Sequence, residues 1–528
     1  MPKVRFPQYR RARHGTELFA GTLLEHARRA GVEVPSDCGG LGKCGRCAVR
    51  IDRGAECLNP KTEAESSRHL APGERLACQA RIVNPVADMT VFVKEMGRYS
   101  IVTETVDTDD VVLEPSVKRD GRHVVHACGE ELGHYEGEVY GLALDVGTTT
   151  LAMQVVDLED GRIIATTART NPQMSYGNDV ISRIGYTMQH EDGLRALQSA
   201  VVEAVNEELE GLERQHGKLS KSIFDAVVVG NSTMRRLFFR QDVSSLGVIP
   251  FEPADTDPAA ARADELGLRV SPQAHVYGGA LIGGHAGADA LADVVACRLH
   301  ESDGVSIVID IGTNGEVVIG NKDRMMSASC AAGGAYEGAT VTCGSGAVEG
   351  AISNVWIADG HVTYGTIGGK PPVGVCGSGL IDLLAELLRS GRMSRKAKIG
   401  EDFCLADGIC ITQQDVYALI TAKAGLRLDQ DLLMRYYGVE LAQVQKIFLA
   451  GGFGNFINPE NAVAIGLLPP APEKVVRIGN GALAGAREML VSRSVRRRSE
   501  QIARAIEHTK PNEREPDFPY MVAEKMYF

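Results

Sequence analysis

From residue 141 onward, short apolar runs alternate with glycine-rich turns and with stretches whose apolar positions recur at helical spacing. Gly141-Leu-Ala-Leu-Asp-Val-Gly-Thr-Thr-Thr150 passes directly into Leu151-Ala-Met-Gln-Val-Val156, then through Asp157-Leu-Glu-Asp-Gly161 into residues 163–167. This pattern predicts strand, tight turn, strand, turn, strand. No helix follows the first glycine turn, which argues against both a Walker loop and a Rossmann turn. The same pattern returns 165 residues later in Val305-Ser-Ile-Val-Ile-Asp-Ile-Gly-Thr-Asn-Gly-Glu-Val-Val-Ile319. Two copies predict duplicated lobes facing each other across a cleft. Gly283-Gly-His-Ala-Gly-Ala-Asp-Ala-Leu291 reads as a small-residue helix suited to close packing at a lobe interface. Phe448-Leu-Ala-Gly-Gly-Phe-Gly-Asn455 reads as a strand ending in a glycine-rich turn, and Asn458-Pro-Glu-Asn-Ala-Val-Ala-Ile-Gly466 follows.

The first 95 residues carry a different pattern. Thr22-x-x-Glu25 is a capping box that opens a helix, and Gly31 closes it. Residues 48–51 and 89–93 read as strands, and Pro72-Gly73 as a turn. Residues 96–140 are polar and broken, with Asp107-Thr-Asp-Asp110 among them, and predict a linker with one or two short strands. At 528 residues the chain exceeds a single core.

Composition narrows the class. Hydrophobic content of 44% and charged content of 23% are those of an ordinary globular chain, and no apolar run reaches membrane-spanning length. Met1-Pro-Lys-Val-Arg-Phe lacks the apolar stretch of a secretory signal, so a cytoplasmic location is expected. A net charge of −12 argues against nucleic acid as a partner. Arg10, Arg11 and Arg13, and Arg493 with Arg496 to Arg498, read as solvated faces. Twelve cysteines in such a chain point to metal chemistry and buried thiols rather than to disulfides.

Four of those cysteines form a pattern: Cys38-x5-Cys44-x2-Cys47, and after thirty residues Cys78. This is the ligand spacing of a ferredoxin-type [2Fe–2S] cluster, in the x5 rather than the plant x4 form. Thiolates match iron in softness and offset its charge. Small residues in Cys38-Gly-Gly-Leu-Gly-Lys-Cys-Gly-Arg-Cys47 let the backbone wrap tightly and aim N–H groups inward. Structural zinc usually takes two C-x2-C pairs, and only Cys44 and Cys47 make one. Cys57 fits no ligand spacing and reads as a loop thiol.

The repeated Asp-x-Gly-Thr turns carry the second chemistry. A carboxylate at a strand end can hold hydrated Mg²⁺, and Gly147 and Gly312 allow phosphate oxygens close to the backbone. One such loop is a weak signal. Two loops with the intervening and following segments in this order resemble the actin–hexokinase–Hsp70 superfamily. The order is phosphate loop, connecting helix, second phosphate loop, adenosine loop, second connecting helix. The resemblance implies ATP as ligand, with Asp145 and Asp310 organising Mg²⁺ and the attacking water. Thr148, Thr149, Thr313 and Asn314 would contact phosphates, and Gly451 and Gly452 would lie against adenosine. Turn stabilisation explains each threonine alone equally well. Glu316 could orient the water, with exposed-strand polarity as the alternative.

Further segments narrow the likeness. Asn171-Pro-Gln-Met-Ser-Tyr-Gly-Asn-Asp-Val-Ile-Ser-Arg-Ile184, Val228-Val-Gly-Asn-Ser-Thr-Met234, Gly333-Gly-Ala-Tyr-Glu-Gly338 and Gly374-Val-Cys-Gly-Ser-Gly-Leu380 resemble ATP-dependent reductive activators of corrinoid proteins. The fold class this implies is multidomain α/β. An α+β ferredoxin-like (β-grasp) domain spans residues 1–95, and a linker 96–140. A duplicated two-lobed actin/Hsp70-like ATPase fold spans 141–495, its second phosphate loop near 305–320, and a C-terminal tail 496–528. The implied activity moves one electron from the cluster to reduce Co(II) to Co(I) in a methyltransferase system. Its implied partners are a corrinoid protein and an electron-donating reductase or ferredoxin, with homodimerisation possible.

The readings that compete with this one use the same parts. An acyl-CoA dehydratase or a nickel tetrapyrrole enzyme could replace the corrinoid target. A sugar or acid kinase with a fused ferredoxin would need an acceptor-side base that the sequence does not offer. A redox-sensing scaffold would bind nucleotide without turnover. Cys330-Ala-Ala-Gly-Gly334 resembles the [4Fe–4S] loop of dehydratase activators, with Cys343 and Cys376 downstream as second ligands; packing of buried thiols is the plainer explanation. Ser327-Ala-Ser-Cys330 reads as a surface turn, or as a hydroxyl ligand approaching cobalt.

Overall fold

The computed structural model describes the chain apart from residues 1, 8–14, 33, 35, 37–39, 43–46, 67–69, 71–72, 94–110, 135–136, 332–333, 339, 359 and 453–455. Two compact units emerge: residues 1–97 with 172–193, and residues 98–171 with 194–528.

The first unit holds β1 (Lys3–Arg5), β2 (Thr16–Glu17), β3 (Ala48–Arg53), β4 (Glu74–Leu76) and β5 (Met89–Val93) in one sheet, ordered β2-β1-β5-β3-β4. The central β1–β5 pair is parallel and the outer pairs are antiparallel. The helix Leu23–Arg29 starts at the capping box: the Thr22 hydroxyl accepts from the Glu25 N–H at 3.2 Å, and the Glu25 carboxylate accepts from the Thr22 N–H at 2.6 Å. Leu23, Leu24 and Ala27 turn into a core with Phe6, Leu76 and Val91. Cys57 belongs to that core, fully buried rather than in a loop. Glu65 is buried as an ion, accepting from Arg75 Nε at 2.7 Å and from the N–H groups of Thr62 and Leu76. Removing one member of such a pair typically costs about 3–5 kcal/mol, because the other charge stays buried.

Residues 172–193 belong to this unit although their sequence position falls inside the predicted ATPase region. The helix Val180–Gln189 begins at Asp179, whose carboxylate accepts from the Ser182 N–H at 2.7 Å. Arg28 lies over the rings of Tyr176, at 4.7 Å, and Tyr186, at 5.7 Å, and donates to the Ser175 carbonyl. Each cation–π contact of this kind contributes about 0.5–2 kcal/mol.

The second unit opens with β6 (Val117–Asp120), β7 (His123–His126) and β8 (Glu131–His134), a three-stranded antiparallel sheet where one or two strands were expected. Residues 96–110 of the predicted linker lie outside the described residues. Val117, Val124 and Leu132, one from each strand, join the core of the first lobe.

That lobe is a six-stranded sheet. Its strands are β9 (Tyr140–Val146), β10 (Thr150–Asp157), β11 (Ile163–Thr170), β12 (Ile223–Val229), β13 (Ala259–Arg262) and β14 (His275–Gly278). Their order is β11-β10-β9-β12-β14-β13. The second lobe is led by β15 (Ser306–Ile311), β16 (Asn314–Gly320) and β17 (Met325–Ala331). A small sheet of β18 (Ala351–Ala358), β19 (His361–Thr366) and β20 (Gly374–Val375) follows, then a hairpin of β21 (Phe403–Ala406) and β22 (Ile409–Ile411). Cys404 and Cys410 face each other across that hairpin and are joined as a disulfide, which the composition did not anticipate. With β23 (Ile447–Ala450), β24 (Val475–Gly479) and β25 (Ile506–His508), the second large sheet runs β24-β23-β15-β16-β17-β25. Each lobe therefore places an antiparallel three-strand meander beside parallel strands, as the duplicated pattern predicts. Residues 496–528, expected as a tail, supply β25 and helical segments, including Phe518–Lys525.

Two helices cross between the lobes. The first, Ala288–Ala296, starts later than the sequence predicts, because Gly283 and Ala286 close a tight bridge in which Gly284 takes a left-handed φ of 53°. Its partner is Gly481–Val491, not the segment 458–466 that the sequence order implies. A Cβ on Gly485 would lie 2.2 Å from the Ala292 carbonyl oxygen, so this crossing tolerates only glycine. No helix among the described residues is long and apolar enough to cross a membrane.

Candidate functional site

Cys47 immediately precedes β3 and Cys78 lies two residues beyond β4, so the Ala48–Leu76 register brings both to one end of the strand pair. Their sulfurs are 3.3 Å apart and buried. The Gln79 amide contacts the Cys78 sulfur at 3.6 Å and the Gly40 carbonyl at 3.4 Å. Cys38 and Cys44, the other two predicted ligands, lie outside the described residues. Two buried sulfurs at this separation, with the Gln79 amide beside them, fit a thiolate-held metal group.

The second constellation lies in the cleft between the two lobes. Asp145 sits near the end of β9, and Asp310 near the end of β15, directly opposite Glu316 on β16. Asp145, Gly147, Thr148, Thr149, Gly312, Thr313, Asn314, Glu316, Gly451 and Gly452 line one cavity, together with Asp310. All the predicted nucleotide residues are therefore brought together. Glu316 is buried there, which removes the exposed-strand explanation. Gly451 has φ of 107°, and a Cβ would lie 2.8 Å from an Asp310 carboxylate oxygen and 2.7 Å from the Ile311 carbonyl. Glycine at 451 is thus demanded by Asp310 itself.

Three asparagines brace the first loop. Asn171 donates to the Gly147 carbonyl at 2.8 Å, Asn231 to the Thr148 hydroxyl at 2.9 Å, and Asn480 to the Asp145 carboxylate at 2.9 Å. Asn231 and Asn480 also cap helices, accepting from Met234 and Leu483 N–H groups. One side chain thereby ties a helix start to the loop.

Sequence reasoning missed the remaining acids. Asp289 and Asp293, one turn apart on the helix Ala288–Ala296, point into the same cavity. Burial pushes Asp145 up to about 6. Burial, with the Asp145 charge nearby, raises Asp310 to about 7. Burial and the Asp310 charge raise Asp289 to about 8 and lift Asp293 well above the carboxylate range, and burial with the Asp289 and Asp310 charges does the same to Glu316. Neither oxygen of Asp293 meets an amide, hydroxyl or cationic donor among the described residues. Five acids this close cannot all ionise without a counter-charge, so the set fits a hard divalent cation. An i, i+4 acid pair on an otherwise apolar helix was the signal available in the sequence.

Glu337 was the other omission. Its carboxylate accepts from the Thr149 hydroxyl at 3.0 Å and from the Thr313 hydroxyl, while the two hydroxyls lie 3.1 Å apart. One carboxylate thus joins the equivalent turns of the two lobes. The cavity holds about 140 Å³, against roughly 300–1,000 Å³ for ordinary small-molecule sites.

The remaining candidates lie elsewhere. Ser327 is buried in β17 and bonded to His508 Nδ1 at 3.0 Å, so it is neither a surface turn nor an open ligand. Cys330 packs against Gly315 and Gly425, and Cys376 stands at the N-cap position of the helix Gly377–Arg389, its sulfur directed to the Ile352 carbonyl at 3.4 Å. Burial raises the thiol pKa of Cys330, Cys343 and Cys376.

Three family models match successive parts of the chain. Residues 15–83 match the family described as "2Fe-2S iron-sulfur cluster binding domain", 140–302 "RACo middle region", and 304–528 "C-terminal domain of RACo the ASKHA domain". The chain is 31% identical to the corrinoid activation enzyme RamQ of Eubacterium limosum, over 86% of this chain and 88% of that protein. It is 26% identical to the [Co(II) methylated amine-specific corrinoid protein] reductase of Methanosarcina barkeri, over 67% and 71%. A solved structure described as "Reductive activator for corrinoid,iron-sulfur protein" superposes with a TM-score of 0.75 at 30% identity, covering 100% of this chain and 98% of the other.

Proposed function

Because this chain belongs to the family of reductive activators of corrinoid proteins, we propose that it uses ATP to return a corrinoid protein from inactive Co(II) to Co(I). The observation that carries this reading is the presence in one chain of a buried Cys47–Cys78 sulfur pair and a two-lobed cleft organised by Asp145 and Asp310. A [2Fe–2S] group on Cys38, Cys44, Cys47 and Cys78 supplies single electrons, received from a reductase or ferredoxin. Asp145 and Asp310 would hold Mg²⁺, whose charge balances phosphate oxygens, while Asp289, Asp293 and Glu316 surround them. The energetic need is modest. Plant-type clusters sit near roughly −400 mV, and a cobalt couple about 100 mV lower would add about 2.3 kcal/mol per electron. Nucleotide binding can bridge that gap only if ATP binds the partner-engaged state better than the free one.

Glu337 is the element through which the two lobes would register ATP. It accepts from the Thr149 and Thr313 hydroxyls, the same donors that a terminal phosphate would use in this reading. Two anions cannot share those donors, so nucleotide entry displaces Glu337 and opens a cleft otherwise too small for ATP. Glu337→Gln keeps the shape and removes the charge. It should tighten ATP binding by about tenfold, or about 1.4 kcal/mol, measured by calorimetry; unchanged or weaker binding removes Glu337 from this role.

The direct test mixes cluster-loaded protein, a low-potential reductant and a Co(II) corrinoid protein of a methyltransferase system. Growth of the Co(I) absorption band should require ATP. A band no larger than in the ATP-free control, across several corrinoid proteins, overturns the assignment.

A further inference from the structure

The small sheet ahead of the first lobe carries a cluster that the proposed activity does not use. His123 on β7 stands directly opposite His134 on β8, and their rings lie 5.1 Å apart. The Glu131 carboxylate is 2.6 Å from His123 Nδ1. One ligand atom from each of the three lies within 4.8 Å of the others.

Regular alternation along β8 would put Glu131 and His134, three residues apart, on opposite faces. The pairing instead runs Val124 with Gly133 and Val125 with Glu131, so Leu132 is an extra residue and β8 is bulged there. The bulge turns Leu132 into the core beside Val124 and leaves His123, Glu131 and His134 together on the solvent side. Asp120 of β6 pairs with His123 in the next register position, extending the row.

We propose that His123, Glu131 and His134 bind a divalent first-row transition ion. Two imidazoles and a carboxylate form a borderline-soft donor set of the kind that takes zinc, nickel or copper rather than magnesium or calcium. Solvent exposure leaves coordination positions for water or a further carboxylate. Opposed histidines on adjacent antiparallel strands need no backbone rearrangement to share an ion, because their Cβ atoms are already held at cross-strand distance. Bound metal would staple β7 to β8. The plainer reading is a surface imidazole–carboxylate hydrogen bond, which predicts no metal affinity.

The experiment titrates full-length, cluster-loaded protein with zinc and then records the zinc X-ray absorption spectrum, so that sulfur ligation is seen separately. One equivalent should bind with a nitrogen and oxygen shell near about 2.0–2.1 Å. His134→Ala should weaken binding by more than about 100-fold, beyond the 10–100-fold typical of losing an outer partner. His123→Ala with His134→Ala should abolish it. Failure to retain zinc overturns the site. So does a sulfur shell near about 2.3 Å, or binding that survives the double substitution.

Discussion

In Cys78→Ser protein the visible absorption of the proposed [2Fe–2S] group should disappear and Co(I) formation should fall to background, while ATP hydrolysis should continue. Serine replaces a soft, polarisable ligand by a hard hydroxyl of high pKa, and iron–sulfide centres are held by thiolates. Cys78 is also the described ligand candidate nearest a second one, 3.3 Å from Cys47. Its surroundings tolerate the change: serine is the smaller side chain, and Gln79 keeps its contact with the Gly40 carbonyl. Iron analysis and the absorption spectrum check the first half, and phosphate release the second. Retention of two irons and full Co(I) output would remove Cys78 from the cluster.

Asp310→Asn should invert the cluster and hydrolysis readouts while also losing Co(I) formation. ATP turnover drops by about 10²–10³-fold, the usual cost of losing one preorganised electrostatic group, and ATP-dependent Co(I) formation goes with it. The cluster spectrum stays intact. Asparagine preserves the volume beside Gly451 and removes one of five crowded buried acids, so the folded state should not weaken. Phosphate release, the visible spectrum and a thermal melt measure the three parts. An Asp310→Asn protein with near-normal turnover would place the hydrolytic centre elsewhere. The two variants together test whether electron delivery and nucleotide use are separable in one polypeptide.

What the sequence disclosed follows from how locally each feature is encoded. The cysteine spacing, the capping box at Thr22 and the doubled Asp-x-Gly-Thr hairpins are contiguous, and each was readable before any tertiary contact was known. The acids that crowd Asp145 and Asp310 were not, because Asp289, Asp293 and Glu337 reach the cleft from a helix and a loop that only folding brings there. The sheet of β6 to β8 escaped full recognition for another reason. Each strand buries a single apolar residue, Val117, Val124 or Leu132, in a core that belongs to the neighbouring lobe, so periodicity has little to register. The crossing helix Gly481–Val491 was overlooked although its small residues at 481, 482, 484, 485 and 486 are visible in the chain. Residues 172–193 pack with the first unit although sequence continuity and the family match over 140–302 join them to the segment around them, because chain position does not encode tertiary contact.

That last stretch bears on inheritance. The aromatic bracket around Arg28 comes from codons lying beyond the first three strands of the nucleotide-binding half. A recombination event that exchanged only the amino-terminal electron carrier for another would strip its flank of Tyr176 and Tyr186 and leave those rings facing a stranger. Shuffling of these modules is thereby penalised, and the two halves of the gene are expected to descend as a pair.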